Sequence, residues 1–360
     1  MRIIISGGGT GGHIFPAVAI AKAIKARYPH AEILFVGAEG KMEMEKVPAA
    51  GFEIIGLPIV GIQRRLTWKN LLVPFKLWAS MRKARKVIRD FKPQVAIGVG
   101  GYASGPLLKA ATAAGVKTLI QEQNSYPGIT NKLLAKGANT ICVAYEGLEK
   151  FFPKEKIVLT GNPVRSEVTK LEGKRERAME HFGLQSDKRT LLVIGGSLGA
   201  RTINEAMKMC AHKLEKEDIQ VIWQTGKAYY ETALNYASQH PSLKVHAFIP
   251  EMDLAYAAAD VIVSRAGAMS ISELCLVKKP AIFVPSPNVS EDHQTKNAMA
   301  LVQRNAALLV KDAEAREKLG DEIIKLFRDE FKMTQLSVNI AAMGYPNATE
   351  NIVAEVVKLI

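Results

Sequence analysis

The chain has 360 residues, 48% of them hydrophobic and 23% charged, a composition that excludes disordered and collagen-like classes. Its net charge of +13 is localised: residues 1–163 hold 23 Lys or Arg against 10 Asp or Glu, whereas residues 164–360 hold 25 of each. A basic half joined to a neutral half argues against a chain that coats nucleic acid and for two lobes with different partners.

From Met1 the chain runs straight into a strand pattern and a glycine loop, without the long apolar stretch of a signal peptide. No apolar run approaches the roughly 20 residues needed to span a bilayer. Cys142, Cys210 and Cys275 are odd in number, far apart and in no metal-ligand spacing, so neither a disulfide framework nor a zinc site is expected. These features point to a reduced cytoplasmic protein with no membrane span.

Short apolar runs alternate with helix-like stretches, the pattern of parallel sheets built from βαβ units. Candidate strands in chain order are 2–6, 32–36, 95–99, 118–121, 140–143, 191–194, 220–224, 261–264 and 281–284. The stretch 160–189 reads as a hinge, after which Leu191 to Ala200 repeats the strand, glycine loop and helix order of Ile3 to Ala17. The expectation is therefore an α/β chain of two Rossmann-like domains, 1–163 and 164–340, around an interdomain cleft. A C-terminal helix within 341–360 could pack on either, since periodicity does not choose.

Four glycine loops follow candidate strands. In the first, Gly7-Gly8-Gly9-Thr10-Gly11-Gly12-His13, the spacing satisfies GxGxxG, yet the second strand ends in Gly37-Ala38 and delays its acid to Glu39, a poor match to a nicotinamide dinucleotide site. The alternative is a backbone that approaches a polar ligand closely beside a helix N-terminus. The second loop, Gly98 to Pro106 with Gly100, Gly101 and Tyr102, would complete an anion-receptive floor. The third, Gly195 to Arg201, brings Ser197 to a helix start. In the fourth, Ser264 to Glu273, the pair Ser270 and Glu273 reads either as a capping box or as a helix N-terminus for a diphosphate with a carboxylate for a ribose diol.

Taken in order, Gly9-Thr10-Gly11-Gly12-His13, Gly100-Gly101-Tyr102, Glu122-Gln123-Asn124, Gly161-Asn162-Pro163-Val164-Arg165, Gly195 to Ala200 and Ser264 to Ala268 resemble the MurG family of peptidoglycan glycosyltransferases. The resemblance implies a GT-B fold and inverting transfer of GlcNAc from UDP-GlcNAc to the 4-hydroxyl of the MurNAc sugar of lipid I, an undecaprenyl-diphosphate-linked MurNAc-pentapeptide, to give lipid II. It also implies a place at the cytoplasmic face of the cell membrane, as a peripheral protein. By position, Thr10, Gly11, Gly12 and Asn124 would touch GlcNAc, and Arg165 and Ser197 the diphosphate. Ile249 would pair its backbone with uracil, Ala268, Met269, Ser270 and Glu273 would hold phosphates and ribose, and Gln294 would reach the donor sugar. Gly100, Gly101 and Tyr102 would form the acceptor side.

The chemistry fits independently. UDP departure builds charge on a phosphate, and helix N-termini with Arg165 are donors suited to it; no Asp-x-Asp pair is present, and neither a metal nor another cofactor is expected. His13 is the leading general base, because an imidazole exchanges protons near neutrality, and Glu122 is the second candidate. Finally, residues 61–92 hold ten Lys or Arg against one acid, Asp90, interleaved with large apolar side chains. Trp68, Phe75 and Trp78 beside Arg82, Lys83, Arg85 and Lys86 suit contact with an anionic membrane surface. The alternative is a helix with a solvated basic face; no nucleic-acid-binding signature is present.

Overall fold

The computed structural model describes residues 1–59, 73–164, 168–196 and 198–360, with only the backbone at Ser290. It divides into two compact units, Met1–Val164 with Tyr345–Ile360, and Arg165–Gly344.

The first unit alternates strand and helix: β1 (Arg2–Gly7), α1 (Gly11–Arg27), β2 (Glu32–Ala38), α2 (Glu43–Ala49), β3 (Glu53–Leu57), α3 (Val73–Phe91), β4 (Val95–Gly100), α4 (Ser104–Ala113), β5 (Lys117–Glu122), α5 (Ile129–Leu134), β6 (Thr140–Val143) and β7 (Ile157–Leu159). Its strands form one parallel sheet in the order β3-β2-β1-β4-β5-β6-β7. Runs such as Ile3-Ile4-Ile5 suit a strand buried on both faces, because successive side chains point to opposite sides. Ile3 and Ile5 pack with Ile20 and Ile24 of α1, while Ile4 packs with Ala84 and Ile88 of α3 and Leu107 of α4.

The second unit contains α6 (Arg175–Phe182), β8 (Arg189–Ile194), α7 (Arg201–Lys216), β9 (Ile219–Gln224), α8 (Tyr230–Ala237), β10 (Leu243–His246), α9 (Met252–Ala258), β11 (Val261–Ser264), α10 (Ala268–Val277), β12 (Ala281–Phe283), α11 (His293–Val302), β13 (Leu308–Leu309), α12 (Ala315–Arg328) and α13 (Glu330–Ala341). The strand order is β10-β9-β8-β11-β12-β13, again all parallel. In both units the order reverses beside the first strand, and loops leaving the strand ends at such a switch point are where α/β sheets bind ligands. Those loops are Gly7–Gly12 and Gly100–Ala103 in the first unit, and Gly195–Ala200 and Arg265–Gly267 in the second.

The last helix, α14 (Ala348–Val357), belongs to the first unit. Ile352, Val353 and Val356 are buried in the cluster built by β1 and α1. The chain thus ends on the sheet with which it began, a choice that helix periodicity alone could not make.

Candidate active site

In the first unit, the loops after β1 and β4 touch. Gly8 N–H donates to Gly100 O at 3.3 Å, and Gly101, at φ +89°, presses so closely on Gly8 that a Cβ there would collide with the Gly8 carbonyl oxygen. Gly100 is equally constrained: at φ +103° a Cβ would lie 2.8 Å from His13 Nε2. These two glycines allow the loops to stack, since a left-handed backbone with no room for a side chain suits glycine alone.

His13 stands in the first turn of α1, half-buried, with Nδ1 3.1 Å from Gly8 O and 3.4 Å from Thr10 Oγ1. A carbonyl oxygen only accepts, so the contact with Gly8 O calls for the proton on Nδ1, and in the neutral ring Nε2 is then the lone-pair nitrogen. Thr10 is the cap residue of α1, but its side chain caps no backbone N–H of the helix. It is exposed, as is Gly12. Pro16, inside α1, has no N–H to offer the Gly12 carbonyl four residues back, so that carbonyl lacks the usual helical donor. The anion-receptive floor expected here is smaller than the sequence suggests: Gly8 N–H goes to Gly100, and Gly9 N–H goes to the carboxylate of Glu43 at 2.9 Å.

Glu122 ends β5 and is 1% exposed. Its Oε1 accepts from Asn124 N at 3.0 Å and Asn124 Nδ2 at 3.1 Å, and its Oε2 from Gly128 N at 3.2 Å and Asn131 Nδ2 at 2.9 Å. Burial pushes its pKa up from the ordinary carboxylate value, and these four donors pull against it. A carboxylate enclosed by four N–H groups anchors the loop that carries Asn124, so Glu122 is buried among backbone and amide donors, whereas a base must reach its substrate. Beside it, Gln121 Nε2 donates to Asn162 Oδ1 at 2.9 Å, and Asn162 Nδ2 to Gln123 O at 3.0 Å. The Gly161-Asn162-Pro163 motif is thereby tied to β5.

In the second unit, Gln224 at the end of β9 joins two loops: its Nε2 donates to Gly196 O and its Oε1 accepts from Ile249 N, each at 3.1 Å. Ile249 is 1% exposed with its N–H already engaged, so pairing with a base would fall to its carbonyl. The capping box expected at Ser270 and Glu273 does not form. The cap of α10 is Gly267, which places Ser270 inside the first turn beside Ala268 and Met269, and Glu273 Oε2 instead accepts from Tyr256 Oη at 2.9 Å. Gln294 is half-buried and its Oε1 accepts from Ser286 N at 2.8 Å. Arg265 is a strap: its guanidinium binds Val284 O at 2.9 Å and Pro285 O at 3.2 Å and pairs with Asp312. Arg165 and Ser197 lie outside the described residues.

Family models match both units: the glycosyltransferase family 28 N-terminal domain over residues 3–143, and the corresponding C-terminal domain over residues 190–352. The chain belongs to glycosyltransferase family 28, within the MurG family. It is similar over 100% of its length to a Bacteroides thetaiotaomicron protein, 58% identical with 98% of that protein covered. A Cytophaga hutchinsonii protein is likewise 58% identical, with 97% of it covered. Both relatives carry the name UDP-N-acetylglucosamine--N-acetylmuramyl-(pentapeptide) pyrophosphoryl-undecaprenol N-acetylglucosamine transferase. Among solved structures, Acinetobacter baumannii MurG aligns with a TM-score of 0.82 at 29% identity, covering 99% of each chain. A UDP-GlcNAc 2-epimerase from Neisseria meningitidis aligns at 0.69 with 14% identity, over 99% of this chain and 100% of that one, and shares the fold. The fold of this family 28 member is GT-B, two Rossmann-like units in one chain.

The basic segment is described from Val73 onward, and Trp68 lies outside the described residues. Along α3, Ser80, Ala84, Val87 and Ile88 are buried, while Phe75 at 72% and Trp78 at 65% exposure stand outward. The Arg82 guanidinium lies over the Trp78 ring, 5.8 Å from its centroid. Arg85 and Lys86 are exposed. Lys83 pairs with Glu39 at 2.9 Å, so the acid that a dinucleotide site would direct at a ribose is spent on α3.

Replacing Gly101 with Ala should destabilise the protein by more than about 1 kcal/mol in urea unfolding. Gly115 also has a positive φ, +74°, but open space around it, so Gly115→Ala reports backbone strain alone. Equal costs for the two would contradict a structural role for the Gly101–Gly8 contact.

Proposed function

We propose that the protein transfers GlcNAc from UDP-GlcNAc to the 4-hydroxyl of the MurNAc sugar in undecaprenyl-diphosphate-linked MurNAc-pentapeptide, lipid I, yielding lipid II and UDP. The observation that carries this reading is the 58% identity, over 100% of this chain, to proteins named for that transfer. On this reading the acceptor oxygen forms its bond to the anomeric carbon as the bond to UDP breaks, in one displacement that inverts the centre. The acceptor proton passes to Nε2 of His13, the nitrogen left basic by the Nδ1 contact with Gly8.

UDP is the proposed ligand of the second unit. The N-termini of α7 and α10 supply N–H donors and positive dipole ends where charge grows on the leaving phosphate, with Arg165 and Ser197 as further donors. Glu273, held by Tyr256, is assigned to the ribose diol, the Ile249 carbonyl to uracil, and the Gln294 side chain to the sugar. Thr10, Gly11, Gly12 and Asn124 complete the GlcNAc contacts, and Gly100, Gly101 and Tyr102 the acceptor side. This division of labour assigns the leaving-group charge to protein donors and calls for no metal ion.

The outward Phe75 and Trp78 with Arg82, Arg85 and Lys86 support docking on an anionic membrane at the cytoplasmic face, where a lipid-linked acceptor resides. Trp rings favour headgroup depth, and each cation near anionic lipid contributes about 1 kcal/mol. Among the described residues, no helix is long and apolar enough to cross a membrane, so the attachment is proposed as peripheral.

Replacement of His13 by Ala should lower kcat by about 10²–10⁴-fold while UDP-GlcNAc affinity, read by calorimetry, stays near wild type; an unchanged kcat would remove His13 as the base. Vesicles containing phosphatidylglycerol should sediment the wild-type protein, with release by added salt and by charge reversal at Arg82, Arg85 and Lys86. Sedimentation indifferent to both would contradict electrostatic docking.

A further inference from the structure

We propose that Glu43 sets the tautomer of His13 through the single peptide group that joins Gly8 to Gly9. The inference rests on the reading of His13 as the base and adds a positioning residue behind it. That peptide group is bonded at both ends. Its N–H, on Gly9, donates to Glu43 Oε2 at 2.9 Å. Its C=O, on Gly8, lies 3.1 Å from His13 Nδ1. A base histidine is commonly oriented by a carboxylate directly on its other ring nitrogen; here one amide is interposed between carboxylate and imidazole.

The intervening amide does more than fill space. An N–H donated to a carboxylate polarises its own peptide group, which makes the attached carbonyl oxygen a stronger acceptor. The stronger the acceptor at Gly8 O, the more firmly the imidazole is held with its proton on Nδ1, which leaves Nε2 as the lone-pair nitrogen.

The surroundings fix each part of this chain. Glu43 opens α2 and is fully buried at 0% exposure. Its second oxygen accepts from Ala38 N at 3.0 Å, at the end of β2, so the carboxylate is gripped from two strands' loops at once. Gly37 and Gly8 both flank it, and a Cβ at either would strike the Glu43 side chain. On the far side, the preceding peptide, Gly7–Gly8, is held by its N–H to Gly100 O, and Gly101 packs closely on the Gly8 carbonyl. A buried carboxylate with two amide partners is costly to place, and removal of its charge leaves N–H groups without a full acceptor. Two glycines that make room for it, and a peptide aimed at a catalytic-site imidazole, give that cost a purpose beyond holding α2.

The test is a Glu43→Gln enzyme with ¹⁵N-labelled histidine, the His13 signal being assigned by its loss in His13→Gln. In the wild type, the ¹⁵N shifts of neutral His13 should report the proton on Nδ1. In Glu43→Gln, the amide provides one acceptor where two N–H groups need one, and the shifts should move toward the Nε2–H form. Then kcat should fall by about 10–100-fold, the range seen when partners that orient functional histidines are lost, with KM for UDP-GlcNAc changing by less than about twofold. A wild-type enzyme with its proton on Nε2 would overturn the proposal, and that spectrum decides even if Glu43→Gln does not fold. A folded Glu43→Gln with unchanged His13 shifts would overturn it too, whatever its melting temperature. A shifted tautomer with unchanged kcat would uphold the action of Glu43 on His13 and remove instead the role of His13 as base.

Discussion

The first unit depends on one peptide group. Gly8–Gly9 lies between the carboxylate of Glu43, the backbone of Gly100 and Gly101, and the ring of His13. Its neighbours can approach so closely because four positions around it, Gly8, Gly37, Gly100 and Gly101, lack a Cβ. The second unit repeats the architecture with different chemistry. There the loop after β8 is fixed through the Gly196 carbonyl by a neutral amide, Gln224, which also holds Ile249. A carboxylate beneath the first loop repels a phosphate, whereas an amide beneath the second does not. Two copies of one strand, loop and helix plan thus differ in the group beneath the first loop, a carboxylate in one unit and an amide in the other.

Charge follows the same division. The net +13 of the chain resides in its first 163 residues. The cations lie along α3, where Ser80, Ala84, Val87 and Ile88 bury one face and leave Phe75, Trp78, Arg82, Arg85 and Lys86 outward. The nucleotide reading of the neutral unit relies on helix ends and backbone, which bind anions without net positive charge.

The central strands were legible because burial on both faces demands continuous apolar runs, as in Ile3-Ile4-Ile5, Val95-Ala96-Ile97 and Leu191-Leu192-Val193-Ile194. The four strands that the sequence left unmarked, β3, β7, β10 and β13, are the outer strands of the two sheets. Glu53–Leu57 contains Gly56, Leu243–His246 alternates with Lys244, and Ile157–Leu159 and Leu308–Leu309 are three and two residues long. At an edge only partial burial is required, so composition carries little signal. Glycine loops and His13 were visible in the same way, as strand-end punctuation. Glu43 was not: within Lys41-Met42-Glu43-Met44-Glu45-Lys46 nothing separates it from Glu45, whose side chain is 78% exposed. Only the tertiary approach of Gly8 and Gly37 distinguishes the two acids. Ser270 and Glu273 show the converse, a spacing that fits a cap but falls one turn inside the helix that Gly267 begins.

The transfer itself is the decisive measurement. Purified protein should be incubated with radiolabelled UDP-GlcNAc and a short-chain lipid I analogue, and both UDP release and labelled lipid followed. The predicted result is one labelled disaccharide-pentapeptide lipid formed per UDP released, with the new linkage inverted at the anomeric carbon. UDP release without a labelled lipid, or transfer that prefers a sugar nucleotide other than UDP-GlcNAc, would contradict it.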